Sequence, residues 1–413
     1  MSKKLAKSLL LTSCMATLSL GGLSQSVVAD DDTYFEFSGF VAADLRVFPN
    51  DAIQTGQEDQ TLNSSIVLQP EMLYEWNDGD DRIEFNPFAR LDSHDDERSH
   101  WDIRELNYLH INDGWDVVVG ADKVFWGVTE SRHLVDIINQ TDAVEDVDGE
   151  DKLGQPMINL GVQQDWGNIN AFVLPYFRER TFAGVDGRLR GSLVVDTDQA
   201  VYESSREEKH VDYALRYSHV VGDWDLGAAY FRGTSRDPRL VAGTDGSGNT
   251  VLIPHYDLID RASIDVQATI EEWLWKLEAI YENADNYDSF AAMTAGFEYS
   301  FFGAIDDVGD IGILLEYHYD GRNDLAPATM FDDDIFVGTR LTLNDEDDTS
   351  FLGGVIYDPS SKATSFSVEA ETRLSDFWSI ELEGRMYQNI GKEELLYSSR
   401  DDDHIQLRLT RYF

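Results

Sequence analysis

The chain has 413 residues, 78 of them acidic and 32 basic, for a net charge of −46. So large a negative excess excludes nucleic acid as a partner, because one polyanion repels another. Aromatic side chains make up 12% of the residues, which excludes the disorder expected of an acidic chain poor in apolar groups.

The first residues, "MSKKLAK", are basic. An apolar run, "SLLLTSCMATLSLGGL", follows, and "SQSVVA" ends it on small residues. This order predicts a cleaved secretory signal over residues 1–29, cut between Ala29 and Asp30. The single cysteine, Cys14, lies within it. The mature chain therefore has no disulfide and no thiolate metal site. Beyond residue 29 no apolar run is long enough for a membrane helix. That leaves open a closed β-barrel, which also satisfies its whole backbone in lipid.

Period-two alternation begins at "YFEFSGFVAADLRVF", where Phe35, Phe37, Val41, Ala43, Leu45 and Val47 share one face. It recurs in "RASIDVQATI" (261–270) and "TSFSVEAETRL" (364–374). These are half-buried strands, long enough to cross a bilayer at a tilt. The connections alternate in length. Short ones fall at 77–81, 112–114, 165–168, 221–223, 271–272, 303–309, 344–348 and 375–376. Long ones fall at 49–63, 92–100, 125–156, 179–209, 233–258, 282–288, 321–333, 358–363 and 389–402. This rhythm predicts an all-β fold: one transmembrane antiparallel barrel over 30–413, with 18 strands, short periplasmic turns and long extracellular loops. A count of 16 follows if the segments near 103–111 or 157–163 are misread. Tyr74, Trp76, Trp115, Trp224, Trp273, Tyr281, Tyr317, Tyr319, Trp378 and Tyr387 fall near strand ends, as an interfacial aromatic girdle requires. At the C-terminus Ile405, Leu407, Leu409 and Phe413 share a parity that Arg411 interrupts by snorkelling.

If the apolar parity faces lipid, the other faces water. The predicted lining includes Arg46, Arg90, Arg178, Arg216, Arg261, Arg340, Arg373 and Arg385, together with acids such as Asp44, Asp265, Glu278, Glu316, Glu369, Glu371, Glu381 and Glu383. Charges of both signs predict a polar, water-filled interior that biases ion selectivity. Phe88, Phe172, Tyr176, Phe231 and Phe336 point inward as well and suggest a sliding surface for sugars.

Candidate chemistry is sparse. The nine histidines have no paired zinc spacing. "DVDGED" lacks carboxylates at both ends of a calcium loop. Ser131 and His133 lie two apart on a loop, and adjacency in sequence does not make a triad. No catalytic residue, metal or cofactor is expected.

The connection 125–156 follows the fifth strand. Its placement resembles the constriction loop that general porins fold into the pore. Gly120, Trp126–Gly127, Glu130, Asp136, Ile138, Asn139 and Asp142 further resemble a motif of porin-like outer-membrane proteins related to alginate-export channels. Asp122–Lys123 and Gln140 stand where that pattern has Arg–Gln and Pro. The resemblance implies a channel and leaves its substrate open, since an alginate polyanion requires a basic lumen. Lys123, Trp126, Glu130, Arg132, Asp136 and Asn139 are the expected constriction residues. The expected function is passive diffusion of small hydrophilic solutes across the outer membrane of a Gram-negative bacterium. The expected partners are membrane lipid and lipopolysaccharide, and a homo-oligomer is compatible. An accessory or export barrel serving a periplasmic or inner-membrane partner is the alternative, and an outer-membrane enzyme ranks below both.

Overall fold

The computed structural model describes residues 25–28 and 33–413. Apart from 25–28, the expected signal and its cleavage point lie outside the described residues. Residues Gln25–Val28 pair with the strand that follows, Gln25 opposite Phe37 and Val28 opposite Tyr34.

Eighteen antiparallel strands close into one barrel. They are β1 (Thr33–Val47), β2 (Leu62–Trp76), β3 (Asp81–Asp92), β4 (Trp101–Asn112), β5 (Trp115–Asp122), β6 (Gln155–Gln164), β7 (Gly167–Leu174), β8 (Asp212–Val221) and β9 (Trp224–Thr234). They continue as β10 (Leu258–Ile270), β11 (Trp273–Ala284), β12 (Phe290–Ile305), β13 (Gly309–Asp320), β14 (Ile335–Thr342), β15 (Ser350–Tyr357), β16 (Thr364–Ser375), β17 (Trp378–Gln388) and β18 (His404–Tyr412). Each pairs with its sequence neighbours, and β18 closes on β1 from Phe40 opposite Tyr412 to Val47 opposite Ile405. Closure leaves no open sheet edge. The segments at 101–112 and 155–164 are both strands, so the count is 18 and not 16.

Short turns all fall at one rim and long loops at the other. Two-residue hairpins such as Glu271–Glu272 close because Glu271 takes φ +55°, matching the twist of the flanking strands. On the outer face Ile405, Leu407 and Leu409 are exposed, as are Trp101, Trp224, Trp275 and Tyr317. Arg411 lies over the rings of Phe377 and Trp378, at 4.8 and 5.6 Å, so the parity break at this residue belongs to the aromatic rim. Tyr387 departs from the expected girdle. It lies opposite Ser365 on the inward parity and is buried.

The barrel's apolar core lies inside it. Trp126, Leu134, Val135, Ile137 and Ile138 of the connection between β5 and β6 pack on inward Met157, Phe172, Ala214, Phe231, Ile259, Ile280 and Ala292. Phe172 and Phe231 are thus covered by the loop and offer no sliding surface, and Tyr176 lies beyond the end of β7. The interior is also less water-filled than charge alone suggested, because the run "LVDII" needs apolar cover and the β6–β12 wall supplies it. The connection 235–257 carries a hairpin, Arg239–Thr244 with Thr250–Tyr256, which Val201–Tyr202 joins in parallel. Its turn "DGSGN" made it legible as a pair of strands, which the reading of 233–258 as a plain loop passed over.

Candidate functional site

The 32-residue connection 123–154 turns into the lumen and crosses it. Gly120, at φ +143°, starts the departure. A Cβ there would lie 2.2 Å from the Leu106 carbonyl oxygen, so only glycine lets β4 and β5 approach this closely. Asn139 closes the neck. Its amide nitrogen donates to the Asp122 and Leu153 carbonyls at 2.8 and 2.9 Å, and its oxygen accepts from Val124 N at 2.9 Å. Trp126 packs edge-on against Phe172 at 5.7 Å, under the Arg216 guanidinium at 5.0 Å.

The ascending half of the loop meets carboxylates of the wall. Glu278, fully buried on β11, accepts from Val128 N, Thr129 N, Thr129 Oγ1 and Val135 N at 2.6, 3.0, 2.8 and 3.0 Å. Glu316 on β13 accepts from Glu130 N, Ser131 N and Ser131 Oγ at 2.7, 3.0 and 2.6 Å. Gly127, at φ +153°, lets the backbone pass this clamp, since a Cβ there would lie 3.1 Å from Glu278 Oε1. Arg132 pairs with Asp320 at 2.6 Å, and Glu130 with Arg340 at 2.6 Å and Lys276 at 3.3 Å.

The returning half carries acids and meets cations. Asp142 pairs with Arg104 at 2.6 Å and His100 at 3.1 Å, and the Thr181 hydroxyl donates to it at 2.6 Å. Burial alone would raise its pKa, but His100 and Arg104 hold it well below the carboxylate range. Glu145 binds Arg90 at 2.8 Å, Asp146 binds Arg46 at 2.9 Å, and Asp148 binds Arg385 at 2.9 Å. The loop's own carbonyls are met too: Arg98 donates to Val144 O at 3.0 Å, and Arg236 to Ile138 O at 3.1 Å.

Between the loop and the β14–β17 wall a cavity of about 290 Å³ remains. Glu130, Arg132, Asp136 and Glu150 line it from the loop, and Phe336, Leu352, Ser365, Ser367, Glu369 and Arg385 from the wall. Of the expected constriction residues, Glu130, Arg132 and Asp136 stand here. Asn139 reaches the cavity, but its amide is occupied in closing the neck. Trp126 is an anchor in the wall, and Lys123 is exposed where the loop begins. Of the expected lining arginines, Arg46, Arg90 and Arg261 are buried in ion pairs, and Arg216 binds Asp265 through two bonds of 2.8 Å. Arg178 lies on the loop after β7, bound to Asp102 at 2.8 Å. Arg373 lies at the short-turn rim with Asp348, at 3.1 Å.

Ser131 does meet a histidine, but a distant one. Its Oγ is 3.0 Å from His318 Nε2, whose Nδ1 is 3.0 Å from Thr294 Oγ1. The Ser131 proton points to Glu316, and a hydroxyl, not an acid, orients the imidazole. That pattern ties the loop to β12 and β13. His133 instead faces Glu150 at 3.5 Å. The partners Glu278, Glu316 and Arg236 were visible in sequence only as charged residues on inward strand parity or near a loop, with no local sign of what they bind.

No family model and no curated protein matches the sequence. Among solved structures the chain is similar to Wzi, described as an outer-membrane protein involved in group 1 capsule assembly in Escherichia coli and as a carbohydrate-binding β-barrel. Identity is 9%, the TM-score 0.51, and the match covers 90% of this chain and 83% of that one. The chain is also similar to OmpT, an outer-membrane protein of Vibrio cholerae in a trimer form, at 13% identity, TM-score 0.45, and 93% and 100% coverage. A mutant of Rh. blastica porin gives 12%, 0.44, and 92% and 100%. At such identities the likeness to Wzi bears on the fold, that of an outer-membrane barrel.

Proposed function

We propose that this protein is an outer-membrane channel for small hydrophilic solutes, narrowed by the loop 123–154. The observation that carries the reading is that loop's position: it is docked inside a closed barrel and leaves a cavity lined by Glu130, Arg132, Asp136, Glu369 and Arg385. An outward apolar belt suits the barrel to lipid, and the predicted signal suits export to the outer membrane. No turnover and no cofactor enter the proposal. The test is conductance in planar bilayers, for the whole protein and for a variant lacking 130–152. The channel reading expects discrete steps that grow on deletion, and silence from both proteins refutes it.

One observation favours a second reading. The loop is tied to both sides of the lumen, by Glu278 and Glu316 on one and by Arg46 and Arg90 on the other. A barrel closed in this way fits an accessory or export role with a periplasmic or inner-membrane partner. Co-purification of such a partner together with a silent full-length protein would favour that role.

A further inference from the structure

We infer that the passage selects for cations, so that the solutes it takes are small positively charged molecules. This rests on the channel reading above and deepens it by naming the charge class of the substrate.

The loop itself adds little to the bias. Residues 123–154 carry eight carboxylates against Lys123, Arg132 and Lys152, but wall cations meet five of the eight: Glu130, Asp142, Glu145, Asp146 and Asp148 are bound to Arg340, Arg104, Arg90, Arg46 and Arg385 in turn. All three cations lie close to acids. Arg132 is bound to Asp320 at 2.6 Å, Lys152 to Asp136 at 3.2 Å, and Lys123 stands near Glu71 and Asp122.

The wall below the loop is the main source of the bias. Glu36, Glu71 and Glu105 face the lumen from β1, β2 and β4 and lie close enough to repel one another. Their hydrogen-bond donors are neutral: the Tyr34 hydroxyl for Glu36, at 2.7 Å, the Gln69 amide for Glu71 and the Asn86 amide for Glu105. A neutral donor leaves the full charge in place. Lys123 tempers this group.

On the opposite side of the closure, two pairs of like charge face each other across adjacent strands. Glu369 is directly opposite Glu383, and Glu371 opposite Glu381, between β16 and β17. Directly opposed like charges cost stability in a sheet. Arg385 meets Glu369 at 3.3 Å and Arg408 meets Glu381 at 3.8 Å, and Arg46 acts on Glu383, three cations for four acids. Arg385 is further engaged by Asp148, and Arg408 by Asp44 at 2.8 Å.

The competing inference is that arginines govern the passage. Arg132 Nη1 and Arg385 Nε there have no acceptor, and Lys152, Arg180 and Arg236 line the cavity as well. Each of these cations already stands beside at least one carboxylate, however. Six carboxylates line the cavity against five lysines and arginines, and within a Debye length of about 8 Å at physiological salt a mobile ion also meets the surplus carboxylates of the two walls. A cleft lined by one sign concentrates the opposite sign by about tenfold or more. A polyanion such as alginate meets the same field as a barrier.

The test uses the purified full-length barrel in planar bilayers under a KCl gradient. The expected reversal potential lies on the cation side, with potassium favoured over chloride by about tenfold, and it moves toward zero at molar salt, where screening shortens to about 3 Å. The triple variant Glu36→Gln, Glu71→Gln, Glu105→Gln should keep the step size and lose several-fold in that preference. Proteoliposomes should likewise admit lysine faster than glutamate. Conducting channels with a chloride preference, or with no preference, overturn the inference and leave the channel reading standing. Absence of conductance overturns both.

Discussion

Replacing Glu278 with alanine tests how the loop is held. The carboxylate accepts four hydrogen bonds between 2.6 and 3.0 Å, three of them from backbone N–H groups of 128–135. A hydrogen bond to a charged group contributes about 1.5–3 kcal/mol, and bonds that share one acceptor are not additive. Counting only two gives about 3 kcal/mol, a shift of roughly a hundredfold in the local docked-to-undocked ratio. Against that stands the burial of Leu134, Val135, Ile137 and Ile138, each worth about 1.5–3 kcal/mol. The apolar term is the larger, so Glu278→Ala should loosen 127–133 while the segment around Ile138 stays in place. The expected signature is added noise in single-channel current and new trypsin cleavage after Arg132, with Lys152 still protected. The double variant Glu278→Ala, Glu316→Ala removes all seven bonds of the clamp and should raise mean conductance. If the double variant matches the parent in both noise and cleavage, the clamp does not hold the loop, and the apolar contacts suffice.

Three further outcomes are expected. Burial and the neighbouring Asp146 push Asp148 up to about 7, and burial and Glu145 push Asp151 up to about 6. Burial opposes charge on His133, but Glu150 outweighs it and raises its pKa. All three groups bind protons more tightly in the docked loop than when it is free, so their contribution is present at low pH and is lost as pH rises through about 6–7. Conductance and trypsin cleavage should both rise from pH 6 to pH 8, and Asp148→Asn should flatten that rise; an opposite slope refutes the assignment. Gly120→Ala forces a Cβ against the Leu106 carbonyl and should cost about 1–3 kcal/mol, seen as a lower temperature for the loss of folded mobility on gels. Ser131→Ala should weaken the loop by about 1 kcal/mol and change no hydrolytic activity. An esterase activity that vanishes with this substitution would restore a catalytic role.

Strand placement was legible because period two and turn residues are local signals. The departure point of the loop was legible for a similar reason, since Gly120 and Trp126–Gly127 interrupt the alternation. Its contacts were not. Thr129 and Glu278 are separated by 149 residues, and Ser131 and His318 by 187, and their meeting depends on closure of the whole barrel. Inward parity identified Glu278 and Glu316 as lumen acids but could not distinguish them from Glu371, which faces the lumen with no such clamp to hold. The same limit misled the reading of Phe172 and Phe231. Parity says that a ring points inward, and only the packing of "LVDII" says that something covers it.

The position of the cavity follows from how the loop satisfies its own polar groups. A buried backbone must find partners for its N–H and C=O groups. The ascending half presents N–H groups and meets carboxylates on β11 and β13. The returning half presents acids and carbonyls and meets Arg46, Arg90, Arg98 and Arg104. The loop is therefore a strut whose two ends differ in sign, each matched to its wall. Between those walls lies the stretch of β14–β16 that presents Phe336, Leu352, Ile356, Ser365 and Ser367 to the cavity beside Glu369, so this side offers the loop fewer charged partners than the other two. With fewer partners on that side the loop does not close against it, and the gap remains. In the channel reading such a gap suits conduction, which needs solutes held weakly enough to leave.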